Sequence, residues 1–198
     1  MSLSDEEQLE QIKSFGKKYG SAMVSGILIA LIAFFGWEYW QKKNLTETQN
    51  QTAKVQKLMD DVQATAGQAN AFATVSEAAD KIVKHDANAV QAIQTQFILA
   101  KLAYDKQDYA AAEKALKTVE NSKVKDAGLV QVVKLRLADA QLAQKKYDAA
   151  LKTLTAVTEP AFKATAEELR GDIYVAKKDT AAAAKAYQSA WNTLLERK

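Results

Sequence analysis

The sequence predicts an all-α protein: an N-terminal transmembrane helix followed by a solenoid of repeated helix pairs. Three observations carry that expectation. No charged residue occurs from Tyr19 to Trp37. The chain holds one proline, Pro160, and only seven glycines, four of them (Gly16, Gly20, Gly26, Gly36) near the N-terminus, which favours helices over turn-rich sheets. Similar segments recur along the second half at a spacing near that of stacked helix-turn-helix units.

The first element is the anchor. From Ala22 to Gly36 the run is almost wholly apolar. At 1.5 Å of rise per residue, about 20 residues of helix cross a hydrocarbon layer of about 30 Å. Trp37, Tyr39 and Trp40 stand at the C-terminal end, where amphipathic rings favour the headgroup level. Lys17 and Lys18 bracket one side and Lys42 and Lys43 the other, with stems able to snorkel. A cleaved signal peptide would have a shorter apolar region ending in small residues, whereas this one ends in bulky aromatics and Glu38. A buried helix of a globular domain is rarely apolar on every side for this length. Orientation stays open, because Lys13, Lys17 and Lys18 precede the run while Lys42, Lys43, Lys54 and Lys57 follow it. Ala22, Gly26 and Ala30 recur every fourth position, a spacing that suits a helix-packing face; Ala and Gly are also simply common in such helices.

Beyond the anchor, Val55, Leu58, Met59 and Val62 keep a helical spacing, so the first helix either runs on or restarts, with Ala66, Gly67 and Gln68 as its stop. Phe72, Val75, Ala78, Ala79, Ile82 and Val83 mark a second amphipathic helix up to His85. Three segments then superpose: 97–119, 135–157 and 168–190. Their turns hold Tyr109, Tyr147 and Thr180 at equivalent places, spaced by 38 and 33 residues. Small residues fall where the paired helices must cross closely: Ala100, Ala138 and Gly171 on the first, Ala112, Ala150 and Ala183 on the second. Four residues on come Leu116, Leu154 and Tyr187, and three further Val119, Val157 and Ala190. A generic Ala-rich bundle would share the helical period but not the long one. Pro160 lies between the second and third copies, where a helix must end. The domain plan is therefore a short tail at 1–18, the span at 19–40, a helical connector and capping pair at 41–90, and repeats at 91–198. Each unit buries its apolar face only against its neighbours.

Little else in the sequence points to chemistry. Cysteine is absent, which removes disulfides and thiolates, and the single histidine, His85, sits in a polar run read as a loop. There is no Gly-rich phosphate loop, no zinc-protease helix and no nucleophile elbow. The adjacent pairs Asp60/Asp61 and Glu167/Glu168 would point in different directions on a helix. Arg170, Gly171 and Asp172 spell an adhesion tripeptide but fall inside a predicted helix. The net charge of +3 is spread rather than gathered in a stripe, which argues against nucleic acid. No enzyme activity, cofactor, metal or small-molecule substrate is expected.

The small/large pattern of the repeats resembles that of tetratricopeptide domains. That resemblance implies a concave, protein-binding surface lined by the first helices, here Phe97, Lys101, Tyr104, Leu135, Arg136, Asp139, Leu142, Glu168, Asp172 and Val175. The order of parts is more specific. Ile12 to Phe15, Tyr19-Gly20, the closing stretch Gly36 to Trp40, Leu135 to Ala138, Asp148 to Leu154 and Leu169 to Asp172 together resemble the YfgM family of ancillary SecYEG translocon subunits. The resemblance covers nearly the whole chain and is weakest over 44–95. It implies a single-pass protein of the bacterial inner membrane, with a cytoplasmic N-terminus and a periplasmic repeat domain. The implied partners are the SecYEG translocon, a membrane-anchored periplasmic prolyl-isomerase-like chaperone and membrane lipid. The implied role is to help pass exported proteins to periplasmic chaperones. A cytoplasm-facing scaffold for another membrane complex is the alternative that the lysine distribution keeps alive.

Overall fold

A computed structural model describes the backbone of residues 5–64 and 71–196, and the side chains of Lys13, Lys17, 25–64 and 72–196. The described residues form helices and turns without a strand: α1 (Asp5–Ala64), α2 (Ala71–His85), α3 (Val90–Asp105), α4 (Tyr109–Val119), α5 (Ala127–Ala143), α6 (Tyr147–Thr155), α7 (Lys163–Ala176) and α8 (Thr180–Leu195). A 3-10 turn, Pro160–Phe162, opens with the proline and separates α6 from α7. The expected stop at Ala66 to Gln68 lies outside the described residues. His85 is not in a loop, as expected, but is the last residue of α2; the loop begins at Asp86, whose carboxylate accepts the Asn88 N–H at 2.8 Å.

The chain divides into two compact units, 1–50 and 51–198. In the first, the large apolar side chains of α1 from Ile27 to Trp40 are 45–72% exposed. The Trp37 and Trp40 rings lie 5.7 Å apart, and Lys42 pairs with Glu38 at 2.7 Å. Among the described residues no helix is long and apolar enough to cross a membrane. Described side chains of the uncharged run begin at Ser25, so those of 19–24, Ala22 among them, lie outside the described residues. Gly26 and Ala30 are exposed, and a Cβ placed on Gly26 would meet nothing within 4 Å.

The second unit is a succession of antiparallel helix pairs, α3/α4, α5/α6 and α7/α8, preceded by α2 and the end of α1. Its core follows the repeat pattern. Ala100, Ala138, Ala112, Ala150, Ala183 and Gly171 are all buried, and Leu116 and Leu154 are wholly so. Val55, Leu58, Val75 and Ala79 extend the same core through α1 and α2. Small side chains are needed at the crossings because two helix backbones approach to about 8–10 Å only where little stands between them.

The three intra-pair turns share one backbone solution. Gln107, Lys145 and Lys178 have φ of 58°, 61° and 62°, the left-handed region. In each turn this residue's N–H reaches back three residues (Gln107 to the Tyr104 carbonyl at 2.8 Å), and the next N–H reaches back five (Asp108 to Ala103 at 2.8 Å, Lys146 to Gln141 at 2.9 Å, Asp179 to Tyr174 at 2.9 Å). That double bond is the Schellman closure, which usually takes glycine at its left-handed position. The chain uses Gln and Lys instead. Glycine at any one of the three is expected to raise stability by about 0.5–1 kcal/mol, since a left-handed L-residue costs about 1–2 kcal/mol and glycine's extra unfolded-state freedom offsets part of the gain. Thermal denaturation of Lys178→Gly checks this; an unchanged or lower midpoint would show the turn to be unstrained. Asp108, Asp126 and Asp179 then cap the next helices by accepting from the Ala111, Leu129 and Ala182 N–H groups.

A buried acid joins the first two pairs. Glu113 of α4 is 5% exposed. Its carboxylate accepts from Lys117 at 2.8 Å, Lys146 at 2.7 Å, Gln144 at 2.9 Å and Gln141 at 3.3 Å. Gln141 in turn accepts from the Thr153 hydroxyl at 2.8 Å. The network thus runs from α4 through α5 to α6. Burial pushes the Glu113 carboxyl up, but hydrogen bonds from Lys117, Lys146, Gln144 and Gln141 outweigh it and hold the group down at about 2.

Candidate functional site

The first helices of the pairs, α3, α5 and α7, lie side by side and leave two depressions between them, both open to solvent. One, of about 570 Å³, has walls from Met59, Phe97, Ile98, Lys101, Tyr104, Leu116, Arg136 and Asp139. The other, of about 240 Å³, is bounded by Leu135, Arg136, Asp139, Thr165, Glu168, Leu169 and Asp172. Arg136 and Asp139 of α5 belong to both, so the two form one groove that passes over α5.

The groove walls are held by contacts between repeats. The Arg136 guanidinium lies over the Phe97 ring, 5.3 Å from its centroid, a stacking that joins α5 to α3. The Tyr104 hydroxyl donates to Asp139 at 2.8 Å along the same seam. The Tyr104 ring is set edge-on against Tyr109, 5.1 Å between centroids. Burial, and then the bond to Asp139, push the Tyr104 phenol above its ordinary value. Tyr187 of α8 donates to Asp172 at 2.7 Å, and Lys101 pairs with Asp105 at 2.8 Å on the outer turn of α3.

Of the ten residues expected on the concave face, Phe97, Lys101, Tyr104, Leu135, Arg136, Asp139, Glu168 and Asp172 are brought together along the groove. Leu142 and Val175 do not line it. Leu142 packs against the core beneath α5 and α6, because a leucine one helical turn from Ala138 follows the buried stripe. Val175 is 56% exposed near the end of α7, beyond the groove. Met59 was missed because the repeat alignment begins at Phe97, whereas Met59 comes from the end of α1. Its neighbours Val55 and Leu58 are buried, and that helical stripe was the available signal. Among the described residues no group of three or more His, Cys, Asp or Glu side chains could hold a metal ion.

The tetratricopeptide repeat-like domain family matches residues 13–198. A protein named ancillary SecYEG translocon subunit from Haemophilus influenzae is 30% identical over 191 residues, covering 96% of this chain and 89% of its own length. The proteins of the same name from Aggregatibacter actinomycetemcomitans and Escherichia coli are 30% and 28% identical, over 95% and 94% of this chain and 89% and 86% of theirs. No solved structure matches the chain. Near-complete coverage of both partners in each pairing means that the N-terminal helix and the repeats are shared together, and the chain belongs to the YfgM family, whose members here carry the name ancillary SecYEG translocon subunit.

Proposed function

We propose that this protein is a non-enzymatic, membrane-anchored scaffold of the protein-export channel. Residues 19–40 cross the inner membrane, 1–18 stay in the cytoplasm and the repeat unit stands in the periplasm. There it associates with SecYEG and with a membrane-anchored prolyl-isomerase-like chaperone, and helps newly exported proteins pass to periplasmic chaperones. The observation that carries the reading is the open groove across α3, α5 and α7, built from an apolar floor and charged walls, the composition that suits a polypeptide rather than a small substrate. Kinship with proteins named as SecYEG subunits supports the choice of channel. Lipid as the cover for α1 is supported by its exposed belt from Ile27 to Trp40, since so much bare apolar surface needs a partner or a bilayer. Ala22, Gly26 and Ala30 would then offer the close-approach face to another membrane helix.

Mild detergent extraction should recover the protein together with SecYEG or the chaperone; recovery alone, with crosslinking silent, would count against the scaffold. A second reading, a cytoplasm-facing scaffold, is kept by the lysines on both sides of the span. Alkaline phosphatase fused after Lys198 is expected to be active. An inactive fusion beside an active cytoplasmic reporter would reverse the topology and favour the second reading.

A further inference from the structure

The two halves of the groove differ in charge. The larger half is walled by the apolar Met59, Phe97, Ile98 and Leu116, with two bases, Lys101 and Arg136, against one acid, Asp139. Lys101 is already paired with Asp105, and the Arg136 guanidinium is spread over Phe97. In the smaller half Leu135 and Leu169 give an apolar floor, and the charged lining is three acids, Asp139, Glu168 and Asp172, against one base, Arg136. Asp139 and Asp172 each accept a tyrosine hydroxyl, from Tyr104 and Tyr187, but a neutral donor leaves the carboxylate's charge in place. Glu168 is exposed. Both halves therefore have an apolar floor, but the charge at the rim passes from two bases and one acid beside an aromatic wall to three acids and one base, with Arg136 at the border.

We infer that the groove takes an extended segment of a partner polypeptide in which a large apolar side chain is followed or preceded, about five residues away, by a lysine or arginine. The apolar side chain seats between Met59 and Phe97. The cation reaches Glu168 and Asp172. The separation comes from the fold: the apolar seat is at α3 and the acidic carboxylates are on α7, with α5 between them, two interhelical steps of about 8–10 Å each. An extended chain covers that in about five residues at 3.3–3.6 Å each. A helical ligand would need about twelve residues at 1.5 Å each. The apolar seat supplies most of the affinity, and the acidic seat chooses among partners, because charges at an exposed rim set specificity more than strength. The inference rests on the groove being a protein-binding surface, as proposed above.

The test uses the full-length protein in detergent micelles and a dye-labelled nine-residue Gly/Ser peptide with phenylalanine and arginine about five positions apart. A control peptide has glutamate in place of the arginine. Fluorescence anisotropy at low salt is expected to show the arginine peptide binding about ten-fold tighter, a preference that shrinks as salt screens the rim charges. Glu168→Lys is expected to abolish or invert the preference. Met59→Glu, at an exposed position that leaves the core intact, is expected to weaken both peptides about ten-fold. Equal affinity for the two peptides, with Met59→Glu weakening both, would overturn the charge assignment and leave the groove as a binding surface. Binding untouched by Met59→Glu in a folded variant, or no binding of either peptide, would overturn the inference together with the groove.

Discussion

Replacing Gly171 by valine is expected to cost about 3 kcal/mol of stability, the upper end for overpacking a buried site. Gly171 lies inside α7, where glycine is otherwise a poor choice by about 1 kcal/mol against alanine. The ring of Tyr187 occupies the place of the missing side chain: a Cβ on Gly171 would stand 2.3 Å from one ring carbon and 2.5 Å from the next. The same tyrosine holds Asp172 by its hydroxyl. A side chain at 171 must therefore push the ring off α7 and unseat α8 at the last repeat. For a chain of this length, thermal unfolding followed by circular dichroism should fall by roughly 6–12 °C. The mechanism has its own check. In a Tyr187→Ala background the obstruction is gone, and Gly171→Ala should become stabilising, by up to about 1 kcal/mol, through helix propensity alone. If Gly171→Ala has the same effect in both backgrounds, the ring is not what excludes the side chain.

Glu113 should account for a pH-dependent share of stability. Its carboxyl stands near 2 when folded and near 4.5 when free. In the interval between those values the unfolded chain binds the extra proton, so stability rises with pH across it. The contribution is complete above about pH 4.5 and is lost as the pH falls toward 2. Its size is about 3 kcal/mol, from 1.36 kcal/mol per unit over a displacement of about 2.5 units. Glu113→Gln should flatten the denaturation midpoint over this range relative to the parent. Glu113→Ala should cost more at neutral pH than the linkage figure alone, because the buried Gln141 amide loses its acceptor, at about 1–3 kcal/mol for a stranded buried group, while Gln144 keeps the Tyr109 and Ala140 carbonyls. Lys117 and Lys146 are half exposed and can turn to water, which limits the loss. A parent midpoint that does not move between pH 5 and pH 3 while Glu113→Gln behaves alike would sink this account.

Sequence and structure contributed different parts of this picture, and particular residues show where the line falls. The helix pairs were legible because their signals are local. The apolar period of each helix, the small residues at the crossings and the proline at 160 act within a few residues of where they stand. The burial of Ala100, Ala112, Ala138, Ala150 and Gly171 follows the spacing that pointed to them. Most of the groove was legible too, because once the repeats are aligned, equivalent positions on α3, α5 and α7 face the same way. The left-handed turns were hidden, since Gln107, Lys145 and Lys178 stand where glycine would have signalled the closure. Glu113 was hidden for another reason: nothing local distinguishes a charged residue whose four partners sit on the same helix, on α5 and in the turn after it.

What the amino-acid order settled by itself is the family, the all-helical repeat plan and the uncharged N-terminal run, because composition and period are one-dimensional properties. What needed the tertiary structure is which side chains meet across repeats: Met59 beside Phe97, Arg136 over that ring, Tyr104 on Asp139, and an acidic seat beside an apolar one. Those meetings depend on the angle and offset at which successive helix pairs stack, and that geometry arises from the summed packing of all the crossings rather than from any one segment.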